Sequence, residues 1–424
     1  MPNYEFRARY AGAVVHVPQI TQPFHVIGCA MWLVILFIVI AGALSVPAIV
    51  VFIETMAALN PFRDPLRKTS DWSALSKQVA VIIPAHNESI GVLPTLSDLK
   101  PQLQADDRLI VVADNCSDDT DVVASAASAE VLVRNDLSKV GKGYALAYAI
   151  SHLKDAPPDF VLFIDADCRI QNDMVLRLKQ MCLVTDRPVQ ACFLMVAPSQ
   201  SAVDHRIAEF FWLIRNWVRP LGLAGLGLPV QLMGTGMIFP WHVILKAPLA
   251  HGNLVEDLKL GLDLCAAGHP AAFYPFVVGT SEFPMTKKGN DSQRQRWIQG
   301  HLSVIVTHVP RYLLRALLTR NLCLFALALD VIVPPFSLFL SLLAGLFLLS
   351  SLFLLQGILS PIIICSTNCL IVFLTLFLGW LRFGRNMLPP HQLGQGLFSL
   401  VKRLAFYARL YFGRKATSWI RTDR

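Results

Sequence analysis

Three stretches without a charged residue constrain this chain more than anything else in it: Val26 to Phe52, Phe336 to Leu355 and Ile358 to Leu381. About twenty consecutive apolar residues suffice to cross the hydrocarbon core of a bilayer as a helix. In a chain of 424 residues that is 54% hydrophobic and 16% charged, this concentration of apolar residues excludes an ordinary soluble enzyme. The first stretch is longer than a signal-peptide core, and the segment before it carries only Arg7 and Arg9 as basic residues. It is expected to be a permanent anchor, not a cleaved leader. A fourth apolar segment, Leu322 to Val333, is short, carries Asp330 and runs into Pro334-Pro335. An interfacial or re-entrant helix is expected there.

Charge placement orients the chain. From Arg382 to Arg424 there are nine Lys and Arg residues against Asp423, whereas Gln356-Gly357 between the last two apolar stretches has no charge. The positive-inside rule puts the C-terminal tail and the central block in the cytoplasm, and the N-terminus outside. A multi-pass plasma (inner) membrane protein follows. The tail's aromatics, among them Phe398, Tyr407 and Trp419, suit a helix lying on anionic headgroups. That use of the net charge of +8 makes nucleic acid an unexpected partner. The expected organisation is an extracytoplasmic N-terminus (1–25), a transmembrane helix (26–53), a linker (54–77) and a cytoplasmic domain (78–310). An interfacial or re-entrant segment (311–335), two transmembrane helices (336–355 and 358–381) and the basic cytoplasmic tail (382–424) complete it. The cysteines show no paired C-x-x-C spacing, so neither zinc nor disulfides are suggested.

The central block alternates strand-like and helix-like segments, the pattern of an α/β domain with a mainly parallel sheet. Buried strands are expected at Val79–Ile83, Leu109–Ala113, Phe160–Ile164 and Gln190–Val196, with helices around Ile90–Leu103, Asp118–Ser128 and Lys142–Leu153. Each of the first three strands runs into polar residues: Asn87 and Glu88, Asp114 and Asn115, Asp165 and Asp167. Ligands of open α/β sheets bind at that carboxyl edge.

Asp165 and Asp167 stand two residues apart, so on extended backbone their carboxylates point the same way and can share a divalent cation. Asp114 can accept from a base or ribose, with Asn87 and Glu88 beside it. Lys142, between Gly141 and Gly143, can bring an ammonium close to phosphate, or can simply be a surface lysine at a helix start. Glu256-Asp257 opens an amphipathic run and reads either as a helix cap or as an ionised general base. Gly234-Thr235-Gly236 permits close backbone approach to a ligand, or a tight turn. Gln293, Arg296 and Trp297 share one helical face. Arg suits a diphosphate and Trp the face of a sugar ring, although Trp297 also fits a membrane-interface belt. Neither a Walker A loop nor a Gly-x-Gly-x-x-Gly turn follows the first strand, which argues against a kinase or a dehydrogenase.

Taken in order, Pro84-Ala85-His86-Asn87-Glu88, Asp114-Asn115-Cys116-Ser117-Asp118-Asp119, Asp165-Ala166-Asp167, Glu256-Asp257 and Gln293-Arg294-Gln295-Arg296-Trp297 resemble the motifs of membrane-integrated family 2 glycosyltransferases. Cellulose, chitin, hyaluronan and poly-N-acetylglucosamine synthases and ceramide glucosyltransferases belong to that group. The resemblance covers about residues 78–310 and the flanking spans. It implies a GT-A-like α/β fold that binds a nucleotide-diphosphate sugar, a UDP-sugar first among them, with Mg²⁺ or Mn²⁺. Asp114 would contact the nucleoside, while Asp165 and Asp167 would serve ribose and metal. Asp257 would be the catalytic base of an inverting hexosyl transfer, and Glu256, Gln293, Arg296 and Trp297 would line the acceptor and pyrophosphate site. Donor contacts would also come from Asn87, Glu88 and Lys142. The implied product is a polysaccharide or other surface glycan, made with export or polymerisation partners. The alternatives are single-sugar transfer to a membrane lipid and an inactive nucleotide- or polymer-binding subunit. The chain departs from the group in having His86 where many relatives place Tyr. It also has fewer spans than most synthases that extrude their own polymer, which weakens a self-contained secretion role.

Overall fold

The computed structural model describes residues 24–67, 74, 76–198, 203–250, 255–392 and 394. The expected basic tail beyond residue 394 and the N-terminus before residue 24 lie outside the described residues.

The chain opens with α1 (Phe24–Ala43) and α2 (Ser45–Ala58), then enters an α/β unit. That unit runs β1 (Val79–Ala85), α3 (Val92–Leu99), β2 (Arg108–Asp114), α4 (Thr120–Ala126), β3 (Glu130–Arg134), α5 (Lys142–His152) and β4 (Phe160–Phe163). It continues through β5 (Arg169–Ile170), α6 (Met174–Thr185), β6 (Val189–Val196), α7 (Val203–Leu213), a π-helical turn at Ile214–Val218 and α8 (Arg219–Gly225). Next come β7 (Met237–Pro240), α9 (Trp241–Ile244), α10 (Glu256–Ala266), β8 (Ala272–Glu282) and α11 (Lys287–Thr307). The last elements are α12 (Val309–Thr319), α13 (Leu322–Ile332), α14 (Phe336–Leu354) and α15 (Ser360–Gly379).

The eight strands form one sheet in the order β3-β2-β1-β4-β7-β6-β8-β5. β1 pairs in parallel with β2 and β4, and β2 with β3, as continuous apolar runs buried on both faces should. Along β1 the side chains alternate between two cores. Val79, Val81 and Ile83 pack with Leu96, Leu99 and Leu178 on one face. Ala80 and Ile82 pack with Leu146, Ile150 and Phe239 on the other. All four expected strands and all three expected helices are present. The expected strands did not include β3, β5, β8 or β7, the last a four-residue strand that inserts antiparallel between β4 and β6. It leaves too short an apolar run to be recognised.

Three helical segments, Met31–Ala58, Phe336–Leu354 and Ser360–Gly384, are long and apolar enough to cross a membrane. The first extends past the uncharged stretch to include Glu54. Burial of that carboxylate has a structural reason: Arg219 Nε donates to Glu54 Oε2 at 2.6 Å, and the same guanidinium pairs with Asp330 of α13 and donates to its carbonyl at 2.8 Å. All three side chains are almost fully buried. Close packing of α2 on α8 is possible because residue 222 is glycine; a Cβ there would stand 1.9 Å from the Glu54 carbonyl oxygen. The triad thus locks the first apolar helix, the end of the π-turn and α13 together. It also accounts for Asp330, the one acidic residue of the fourth apolar segment.

Candidate active site

The parallel register of β1, β2 and β4 brings their carboxyl ends to one sheet edge, and a cavity of about 250 Å³ opens there. Its wall includes Glu88, Asp114, Lys142, Asp165, Asp167, Glu256, Asp257, Gln293, Arg296 and Trp297, every expected site residue except one. The exception is Asn87. It sits at φ 57°, and its side-chain oxygen accepts from the backbone N–H of Ser117 at 2.7 Å and of Asp118 at 3.3 Å. Its amide is used to shape the loop after β2. Beside it, His86 Nδ1 lies 2.7 Å from the Asp114 carbonyl oxygen.

Asp114 is 7% exposed, and Arg134 Nη1 donates to its Oδ1 at 2.5 Å. Burial nevertheless outweighs the guanidinium and raises the carboxyl above its ordinary value.

Lys142 begins α5 and is far from a surface lysine. Its ammonium pairs with Asp165, donates to the Gly234 carbonyl at 2.7 Å and stands 3.7 Å from Glu256 Oε1. Burial alone would depress the ammonium, but Asp165, Glu256 and Asp257 together hold it above its ordinary value. Glu256 and Asp257 start α10, and Asp257 Oδ1 accepts from its neighbour's N–H, Leu258, at 2.9 Å. Burial pushes Glu256 up to about 7 against the opposing pull of Lys142. Burial likewise raises Asp257, with Lys142, the Leu258 N–H and Arg215 opposing. The two carboxyls are stronger bases than free carboxylates, which a cap would not require.

The loop before β7 fits against them tightly. Gly234 has φ +86°, and a Cβ there would lie 3.3 Å from Asp257 Oδ2 and 3.6 Å from Lys142 Nζ. The buried Gln190 side chain fixes that loop by accepting from the Met233 N–H at 2.8 Å and donating to the Thr235 carbonyl at 2.9 Å. Thr235 Oγ1 in turn accepts from the Asp165 N–H at 3.0 Å.

Asp165, Asp167 and Cys168 place one ligand atom each within 4.8 Å of one another. The two carboxylates are the hard oxygen donors that Mg²⁺ or Mn²⁺ selects, and Ser281 Oγ donates to Asp167 Oδ2 at 3.1 Å, orienting it. Cys168 does not fit that role. Burial, reinforced by Asp165, pushes its thiol up to about 12, leaving it protonated.

On the opposite wall, α11 presents Gln293, Arg296 and Trp297. Gln293 is 4% exposed, and its Oε1 is buried without a hydrogen-bond partner among the described residues. Burial lowers Arg296 from its ordinary value, against Glu256 and Asp165. Trp297 meets Trp212 edge-to-face at 4.9 Å between centroids, and the Arg215 guanidinium lies over Trp212 at 5.1 Å. Trp212 and Arg215, which belong to none of the five motifs, line the cavity from α7 and the π-turn. Their only trace in the sequence is an aromatic followed three residues later by a cation, too common to single out. The π-turn aims Arg215 inward, while its neighbour Asn216 donates to the Phe193 carbonyl at 3.0 Å and holds the turn to β6.

A model of the family described as "Glycosyltransferase like family 2" matches residues 77–300. The chain is 25% identical over 252 residues to "Probable glycosyltransferase YdaM" of Bacillus subtilis (strain 168), a match covering 55% of this chain and 58% of that protein. The chain therefore spans less than two thirds of that curated relative's length. A mannosyltransferase, PcManGT, from Pyrobaculum calidifontis in complex with GDP-Man and Mn²⁺ is 16% identical, with 81% of this chain and 98% of that one covered and a TM-score of 0.48. Glucosyl-3-phosphoglycerate synthase from Mycobacterium tuberculosis in complex with Mn²⁺, UDP and phosphoglyceric acid is 24% identical, with 55% and 80% covered and a TM-score of 0.38.

Proposed function

The chain belongs to the glycosyltransferase-like family 2, with a GT-A-like α/β domain, and we propose that it transfers a sugar from a nucleotide-diphosphate donor to a hydroxyl acceptor with inversion. The observation that carries this is the position of Asp257. Its buried, strengthened carboxylate opens onto the same cavity as Asp114, Lys142, Asp165, Asp167 and Arg296.

Asp257 takes the proton from the acceptor hydroxyl. The acceptor oxygen attacks the anomeric carbon from the face opposite the nucleotide, and the bond to the diphosphate breaks with its electrons leaving on the diphosphate. Lys142 and Arg296 stabilise the charge that develops there. Asp114, with Glu88 near it, meets the nucleoside. Gln293 and Trp297 orient the sugar and acceptor, Trp297 through its ring face and Gln293 through its unsatisfied buried oxygen. Asp165 and Asp167 would hold a divalent cation that supplies further positive charge to the leaving group. Glu256, at about 7, keeps a proton near neutrality and limits the negative charge around Asp257.

The three apolar helices support membrane anchorage, and the placement of Lys and Arg supports an inner-membrane enzyme with residues 78–310 as its cytoplasmic catalytic domain. The acceptor is a surface glycan or, alternatively, a membrane lipid. The enzyme reading is tested with Asp257→Asn in membranes given labelled nucleotide sugars. Turnover should fall by at least about 10²-fold, the usual contribution of a general base, while donor affinity stays within a few-fold of wild type. Full turnover in that variant would end the assignment.

A further inference from the structure

A second, smaller cavity of about 90 Å³ adjoins the catalytic one and shares Trp212, Arg215 and Trp297 with it. Its remaining wall is mainly apolar, with Ala208 and Phe211 of α7, Phe283, Ile298 of α11, Pro335 and Phe336, and is completed by the polar Asn290, Arg294 and Ser337. Phe211 stacks on Phe336 at 5.9 Å with 19° between the rings, so one side of the groove is made by the first residue of α14. α14 is one of the helices apolar enough to cross a membrane.

Resting on the transferase reading above, we propose that this groove seats the hydrocarbon chain of a membrane-anchored acceptor and delivers its hydroxyl head to Asp257. Three observations commit it to that occupant. Phe336, the first residue of a candidate membrane helix, forms part of its wall, so the groove runs up to that helix. Most of its lining is aliphatic and aromatic, which gains from a hydrocarbon chain. Its inner end is the Trp212–Trp297 pair, so a molecule lying along it reaches the catalytic cavity polar end first. Between α11 and α14 the chain also exposes Leu314, Leu317 and Leu318 beside Arg311 and Arg315, a pattern suited to the headgroup plane.

The test uses the full-length protein in vesicles of phosphatidylethanolamine and phosphatidylglycerol, with a C16 alkyl glucoside carrying a mid-chain diazirine as photoprobe. In the wild type, illumination should label peptides containing 203–213 and 287–307. Ala208→Trp, which fills the groove, should reduce that labelling at least fivefold while labelling of the outer face of α15 at Phe373 and Phe377 persists. Unlabelled groove peptides, or equal labelling in Ala208→Trp, would overturn the proposal. The wild-type result stands without the variant should Ala208→Trp fail to fold. In parallel, membranes are given labelled nucleotide sugars. Label in an organic-extractable product that falls at least tenfold in Ala208→Trp supports the groove, whereas label solely in a water-soluble product without a hydrocarbon end refutes it and leaves the transferase reading intact. Failure of that reading has its own signature, equal turnover by wild type and Asp257→Asn.

Discussion

Replacing Lys142 by Met removes one positive charge from the centre of the cavity at nearly constant volume. Lys142 Nζ stands 3.7 Å from Glu256 Oε1, and both side chains are less than one fifth exposed. With an effective dielectric constant of about 20, that pair is worth about 4 to 5 kcal/mol, or about three pH units of carboxyl affinity at 1.36 kcal/mol each. Water entering the vacated space will screen part of it. The acid limb of kcat/KM in the wild type should lie above the ordinary carboxylate range, because burial raises both Glu256 and Asp257. In Lys142→Met it should move up by a further one to three pH units, by the same Coulomb estimate. Stability gives an independent readout. Glu256 sits at about 7 in the folded chain against an ordinary 4.5, so the native state binds more protons between those values. Stability must therefore fall as pH rises from 4.5 to about 7, by about 3 kcal/mol in total, and level off above. In Lys142→Met the decline should continue beyond pH 7. The measurements are a pH–rate profile and the thermal midpoint as a function of pH. An unmoved or lowered acid limb, together with a midpoint that levels at the same pH as wild type, would refute this account of the site.

Three further outcomes are expected. Asp167→Asn should abolish Mn²⁺ binding measured by titration calorimetry, and Ser281→Ala, which removes only the 3.1 Å support of Asp167, should weaken it about tenfold; undiminished binding in both would place the metal elsewhere. Gly234→Ala forces a left-handed residue to carry a Cβ 3.3 Å from Asp257 Oδ2, so stability should drop by about 1 to 2 kcal/mol and kcat should fall with it; wild-type values of both would contradict the packing. Arg219→Met leaves Glu54 and Asp330 buried without their cation and should destabilise the protein by about 3 to 5 kcal/mol. Combining it with Glu54→Leu and Asp330→Leu should restore most of the thermal midpoint, and no recovery would show that the triad has another role.

The parts whose cause is local are legible in the order of residues. Apolar runs such as Val79–Ile83 and Phe160–Ile164 can only be buried strands or helix pieces, and their lengths with the acidic residues that follow them decided the matter. The same holds for the membrane-length helices and for the grouping of Asp114, Asp165 and Asp167 at one sheet edge, because parallel strands align their carboxyl ends. Of the ten candidate site residues in the five short motifs, nine line the cavity wall, Asn87 being the exception. Tertiary structure alone decided the rest, where a residue's role depends on what lies far from it in the chain. Lys142 and Asn87 looked equally suited to a donor; packing put the first among three carboxylates and spent the second on a loop. Trp212 and Arg215 carry no motif and reach the site from α7 and from the π-turn after it, which is tied through Arg219 to Glu54 and Asp330. The strengths of Glu256 and Asp257 as bases were equally invisible, since desolvation is a property of the surrounding fold and not of the two letters in the sequence.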